Sequence, residues 1–344
     1  MKNIASKKKT DGIRMHGRTL SALACSLMAA VLAIPSCGEK ENKEEPSPII
    51  QKDTRWAETG MGEKTYINNG IVQLGIDLDR GGGVFHFSNK KTKKNLLNHF
   101  DNGRLIQQSY YGEMDGTTWD GRAWRWNPVQ GGGWQGPGAQ VKEKDIQDEY
   151  LKVTSYPVHW ASCESLKDEC LMTEEIWLID NYAKITYSFS NDGPKAKRHN
   201  ERRDQELPAI FCDYNYNYLS FYDGDKPWTG GELTTVRPHY LNEKDNNGNT
   251  IPIDSFERTE EWAAYTDAKG SWGIGVYTPA TTRMSAYLVQ VQNAGPTGPS
   301  CSYFSPHDYM VINPGFKCSY DVYVTIGSLK EIRETFYKIH ESLK

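Results

Sequence analysis

Apolar and polar residues alternate with a period of two over several stretches of the chain, and this period defines the elements it predicts. Val72, Leu74, Ile76 and Leu78 alternate with Gln73, Gly75 and Asp77, which predicts a half-buried strand. Gly81-Gly82-Gly83 interrupts the pattern before Val84, Phe85 and Phe87 resume it, so a hairpin with a glycine turn is expected. Met172, Glu174, Ile176 and Leu178 form a second alternating run. Asp180-Asn181 supplies its turn, and Ala183, Ile185, Tyr187 and Phe189 return. Further strands are expected around Trp262–Tyr265, over Gly273–Tyr277, over 284–291, over 309–312 and at Val322, Val324 and Ile326. The stretch 329–343 alone has a helical stripe, with Ile332, Phe336, Ile339 and Leu343 on one face. Many strands, frequent turns and a single terminal helix predict an all-β sandwich or barrel. No repeat of fixed period appears.

Residues 90–140 lack a clean period. Trp119, Trp124, Trp126 and Trp134 are separated there by glycines and polar groups rather than by aliphatics. Aromatic loops over a scaffold commonly form ligand walls, and the alternative is that these rings clamp a long loop onto the sheet. The 344 residues, with 38% hydrophobic and 12% aromatic content, allow one large domain or two small ones.

The N-terminus has a different build. Lys2, Lys7, Lys8, Lys9, Arg14 and Arg18 precede an apolar run over 20–34, the pattern of a secretory signal and too short for a membrane span. The run ends in Ala33-Ile34-Pro35-Ser36-Cys37, which resembles a bacterial lipobox with Cys37 as the lipidated residue, although Pro35 is unusual there. The reading is a signal peptide over 1–36, a polar, acidic tether over 37–60 and one domain over 61–344. An acidic stretch after the cysteine resembles surface-export signals. The expected setting is therefore the outer membrane, facing outward, with the membrane reached through the lipid at Cys37. Removal of 1–36 makes the body more acidic than the whole chain's formal charge of −4, which argues against nucleic acid as a partner. In an oxidising compartment a Cys163–Cys170 bridge is plausible. Cys212, Cys301 and Cys318 then leave an odd count and at least one free buried thiol.

Charge, aromatic rings and turn residues concentrate between His199 and Trp228: Arg202, Arg203, Asp204 and Glu206 precede Pro208, and Tyr214, Tyr216, Tyr218 and Tyr222 follow. A sugar site needs carboxylates to move protons and flat rings to stack on pyranose faces. The strings YINNGIVQLGIDLDRGGGVFHFS, DNGRLIQQSYYG, NPVQGG, RDQELPAIF and EEWAAYTDAKGSWGIGVYTP together resemble secreted carbohydrate-active proteins of the galactose-mutarotase-like superfamily. The likeness spans about residues 65–326 and implies an all-β, two-sheet antiparallel β-supersandwich with a concave sugar-binding face. It does not fix a reaction, and the superfamily's paired histidine and glutamate cannot be matched by motif.

Hydrolysis of a polysaccharide or oligosaccharide needs two carboxyl groups. Glu206, between charged residues and Leu207-Pro208-Ala209, is the first choice. Asp204, Glu113, Asp115 or Glu261 could be its partner, and pairing of Glu206 with Arg202 or Arg203 is the structural alternative. A polysaccharide lyase would instead draw on Tyr110, Tyr111, His159, His239, Arg104 and Gln108, with His239 the better active-site histidine. A noncatalytic glycan-binding protein would use Trp119, Trp124, Trp126, Trp228 and Trp262 as stacking platforms. The favoured reading is a glycoside hydrolase with Glu206, Asp204 and His239 as catalytic candidates. Arg104, Gln108, Tyr110, Trp126, Trp228 and Trp262 are its candidates for contacting the sugar. No cofactor is expected; a structural cation such as calcium could sit in the loops at Asp223-Gly224-Asp225 or Asp245-Asn246-Asn247, neither of which has a full calcium loop. No serine nucleophile elbow, Cys-His pair or HExxH motif points to peptidase or esterase chemistry.

Overall fold

The computed structural model describes residues 63–344, so the signal, the lipobox with Cys37 and nearly all of the tether lie outside the described residues. In chain order the strands are β1 Lys64–Asn68, β2 Val72–Asp77, β3 Val84–Asn89, β4 Ile106–Ser109, β5 Met114–Trp119, β6 Arg122–Arg125 and β7 Pro128–Val129. Next come β8 Gln140–Ile146, β9 Tyr150–Tyr156, β10 Val158–His159, β11 Leu171–Ile179, β12 Tyr182–Asn191, β13 Arg203–Asp213 and β14 Tyr218–Phe221. The last are β15 Thr234–Val236, β16 Asp254–Glu257, β17 Trp262–Thr266, β18 Gly273–Tyr277, β19 Arg283–Val289, β20 Cys301–Met310 and β21 Phe316–Gly327, followed by helix α1, Leu329–Ser342.

Two large antiparallel sheets pack face to face. The 10-stranded sheet runs β1-β2-β3-β4-β13-β20-β19-β16, with β7 and β10 attached beside β4. The 9-stranded sheet runs β15-β14-β17-β18-β21-β12-β11-β9-β8. Alternation supplies each inner face: Leu74, Ile76, Ile106, Ile210 and Phe304 from the first sheet meet Ile176, Ile185, Val276 and Val324 from the second in one buried cluster. The fold is thus the all-β sandwich with one C-terminal helix that the periodicity predicts. Both hairpins form, β2 with β3 and β11 with β12 in a register that places Ile179 opposite Tyr182.

Helix α1 covers the outer face of the second sheet, laying Ile332, Phe336 and Ile339 on Trp262, Ala264, Tyr277 and Tyr323. Ser328 and Glu331 form a capping box at its start. The close approach needs a glycine beneath it, since a Cβ on Gly275 would lie 2.3 Å from Ile332 Cγ2.

Three expectations are corrected. β2 is buried on both faces rather than half-buried, because Tyr66 and Phe85 close over its other side at Gly75, and Asp77 is taken inside facing Lys64 and Arg80. The strand expected over 309–312 begins at Cys301 and ends at Met310. All the described cysteines are free thiols: Cys163 Sγ donates to the Trp134 carbonyl at 3.3 Å, while Cys170 packs beside Trp126 and Leu166. No Cys163–Cys170 bridge forms.

Glu174 on β11 points into the interior beside Gly82 and is fully buried, and neither carboxylate oxygen makes a hydrogen bond of normal geometry. Burial pushes its carboxyl from 4.5 up to about 8, offset in part by the neighbouring Gln130 amide. The folded state therefore keeps a proton that the unfolded chain releases. The stabilisation is complete below the unfolded value near 4.5 and is lost as pH rises towards about 8. Chemical denaturation from pH 5 to 8 is expected to show falling stability, and Glu174→Gln is expected to flatten that slope. An unchanged slope in the variant would mean that another group sets it.

Candidate functional site

β13 carries the site. Its ladder breaks between Glu206 and Ile210 on the β20 side, and between Glu206 and Ala209 on the β4 side. In an unbroken strand Glu206 and Ala209 would face opposite ways; the bulge resets the parity. Asp204 and Glu206 thus share the outer face of the first sheet with Ala209 and Phe211, while Leu207 and Ile210 turn to buried clusters. Across the strands Ser109, Glu206, His307 and Arg283 stand in one row.

This face is the floor of a cleft of about 440 Å³. The floor includes Gln107, Ser109, Tyr287 and Tyr303. Asp101 and Arg104 stand at one side, and Leu241 and Ile253 at another. Trp119, Trp124, Trp134 and Trp160 build a wall, with the Trp119 ring 4.7 Å from Trp124, 6.2 Å from Trp134 and 6.0 Å from Trp160 between centroids. Trp119 and Trp124 come from the β5–β6 hairpin, a two-stranded sheet separate from both large ones. Such a concave, ring-lined surface with a few polar groups is the usual form of a small-ligand site.

The Glu206 carboxylate is held from both sides. Tyr111 donates its hydroxyl to Oε2 at 3.1 Å, and the Tyr303 hydroxyl donates to Oε1. Tyr303 is itself fixed by stacking on Tyr287 at 4.3 Å and by the Phe211 ring at 4.8 Å. Burial raises the Glu206 carboxyl above its usual range, and the hydroxyls of Tyr303, Ser109 and Tyr111 pull it partly back by stabilising the ionised form. Two residues earlier, Arg283 grips Asp204 in a fork, with Nη1 at 2.7 Å and Nη2 at 3.2 Å from its two oxygens. His307 lies between these groups. Burial pushes its imidazole down to about 4, and its Nε2 has no hydrogen-bond partner among the described residues.

Of the residues singled out in the sequence, Glu206, Asp204, Arg104, Tyr111, Trp119, Trp124 and Trp134 come together in the cleft. Gln108 and Tyr110 do not, because β4 alternates: Gln107 and Ser109 face the cleft, with Tyr111 following, while Gln108 and Tyr110 point the other way. Gln108 donates to the Thr173 carbonyl at 3.0 Å and accepts from Tyr110, whose ring stacks on Phe189 at 4.1 Å. Trp126 is buried against His199 and donates to Glu169. Trp228 stacks on His340 of α1 at 3.7 Å, and Trp262 is buried under the same helix and donates to Glu260. His239 is exposed and bonded to Asp254 at 2.8 Å, which raises its pKa, and it is not among the lining residues. His159 is bonded to Asp115 at 2.7 Å, Glu113 accepts from the Asn200 amide, and neither these nor Glu261 lines the cleft. Tyr287, Tyr303, His307 and Trp160 were missed. The alternation of Cys301, Tyr303, Ser305 and His307 is the signal that could have found two of them.

Among the described residues no group of three or more His, Cys, Asp or Glu side chains is placed to hold a metal ion.

No family profile matches the chain, and no curated protein matches it. Solved structures similar to it include a galactose mutarotase-like protein from Clostridium acetobutylicum, at 13% identity and a TM-score of 0.45, covering 78% of this chain and 96% of that one. Another from Lactobacillus casei has 12% identity and a TM-score of 0.42, covering 77% of this chain and 100% of that one. An α-galactosidase from Geobacillus stearothermophilus has 8% identity and a TM-score of 0.44, and the match spans 77% of this chain but only 40% of the enzyme. These likenesses are loose, and the chemistry of the cleft rests on its own residues.

Removing the Tyr303 hydroxyl takes a donor from the ionised form of Glu206. In Tyr303→Phe the Glu206 pKa is expected to rise further, read by carboxyl ¹³C NMR titration. A fall or no change would show that this hydroxyl does not act on the carboxylate.

Proposed function

We propose that this chain acts on a glycan as a glycoside hydrolase, with Glu206 as the proton donor. The observation that carries the reading is the Glu206 carboxyl on the floor of a ring-walled cleft, raised by burial and aimed by Tyr111 and Tyr303. A carboxyl whose pKa is lifted towards neutrality can hold its proton until the leaving oxygen needs it. Tryptophan and tyrosine faces supply the flat apolar surface that a pyranose ring stacks on.

Asp204 is the candidate second carboxylate. It lies two residues along the same strand face, a backbone step of about 6.6 Å in extended chain. In the reaction Glu206 gives its proton to the glycosidic oxygen as the bond from that oxygen to the anomeric carbon breaks. Asp204, oriented by Arg283, takes a proton from the water that attacks the same carbon. His307, held neutral by burial, presents an imidazole to a sugar hydroxyl.

The setting proposed from the N-terminal sequence is an exported protein held to the outer membrane through lipid on Cys37. In a panel of plant, algal and host polysaccharides, the full chain is expected to release reducing ends without ultraviolet absorbance from unsaturated products. Glu206→Gln is expected to lower that rate by about 10²–10⁴-fold while glycan binding persists. Full activity in this variant would remove Glu206 from the mechanism, and absorbance without hydrolysis would replace hydrolysis by β-elimination.

A further inference from the structure

Both arginines at the cleft are already paired with carboxylates. Asp101 faces Arg104, with Nε 3.5 Å from Oδ2, and Arg104 also donates to the Pro299 carbonyl and lies over the Phe100 ring. Asp204 is closed by the fork of Arg283, whose guanidinium lies 4.1 Å from the centre of the Tyr309 ring. Glu206, the remaining carboxyl, is met by neutral hydroxyls rather than by a cation. Arg104 is the sole Lys or Arg among the described lining residues, so no cation is left over for a ligand's carboxylate or sulfate.

We propose that the cleft is built for an uncharged glycan and discriminates against uronate- or sulfate-bearing ligands. This rests on the reading of the cleft as a glycan site. A ligand anion brought into the cleft would lose part of its hydration and find both nearby guanidinium groups already bound. It would have to break an existing pair, and the residue released would then stand unpaired. A neutral sugar asks only for hydrogen bonds and ring contacts, which Ser109, His307 and the aromatic wall offer. A lyase, by contrast, must neutralise the uronate carboxylate beside the proton it removes.

The test is binding of the full-length protein to an oligosaccharide array. The neutral set comprises glucan, mannan, galactan and xylan oligomers; the anionic set comprises galacturonan, alginate and chondroitin sulfate oligomers; chitosan oligomers are the cationic set. At least one neutral class is expected to bind about tenfold or more tighter than any anionic class. Anionic oligomers that bind as tightly as the best neutral class would overturn the selectivity and leave the glycan site standing. An array silent in every set would overturn the glycan reading itself.

Two variants then probe the pairing from opposite sides, each checked for folding by circular dichroism. Asp204→Asn frees Arg283 and is expected to raise affinity for galacturonan and alginate oligomers by about tenfold, an effect reduced by salt. Arg283→Gln frees Asp204 and is expected to shift preference towards chitosan oligomers. If neither folded variant moves the preference, charge matching does not set the selectivity.

Discussion

The cleft depends on a break in one β-ladder. A strand presents alternate side chains to opposite faces, so a floor built on one strand can normally use only every second residue. The bulge in β13 suspends that rule for one step, and Asp204, Glu206, Ala209 and Phe211 share a face that strict alternation would deny them. Everything else at the floor takes its place from this shift. Ser109 and His307 flank Glu206 because their strands pair with β13 before the break, while Tyr303 pairs with Phe211 after it. The carboxylate and the hydroxyl that reaches it come from opposite sides of the irregularity.

A second consequence concerns solvation. Glu206 is half-buried on the cleft floor, and the groups that meet it are neutral donors rather than a positive charge. A cation would have driven the carboxyl towards full ionisation; hydroxyls moderate the effect of burial without reversing it. Asp204, two residues away, receives the opposite treatment from Arg283. Two acids on one strand face are thus given different environments by residues from different strands, and that asymmetry is what divides proton-donating from proton-accepting roles in paired-carboxylate chemistry.

Much of the architecture was legible because the hydrophobic period is clean where a strand has one wet face. The β11–β12 hairpin is the clearest case, with its buried positions at every second residue and its turn at Asp180-Asn181. Helix α1 was legible for the same reason, its stripe being the face it buries. β8 was not, since an edge strand carrying Lys142, Glu143, Lys144 and Asp145 offers little apolar pattern. β20 was seen only at its far end, where Pro306 interrupts the reading of a strand that nonetheless runs on. At the cleft, residue type pointed to Glu206, which the structure places on the floor, but register decided between Gln107 and Gln108 and between Tyr110 and Tyr111. Register is a property of pairing with distant strands, which no local window contains. Trp228 and Trp262 misled because an aromatic residue looks the same in a sequence whether it meets a ligand or a helix.

Half of the tryptophan wall stands apart from the sheet that carries the cleft floor. Trp119 and Trp124 stand on the β5–β6 ribbon, which shares no ladder with either large sheet, whereas Glu206 and its hydroxyl donors are woven into the 10-stranded sheet. Changes of length or sequence in that ribbon can therefore reshape what the cleft admits while Glu206 and the groups around it keep their register. Wall and floor are in this sense separately inheritable: related chains can diverge by redrawing one short hairpin over an unaltered floor.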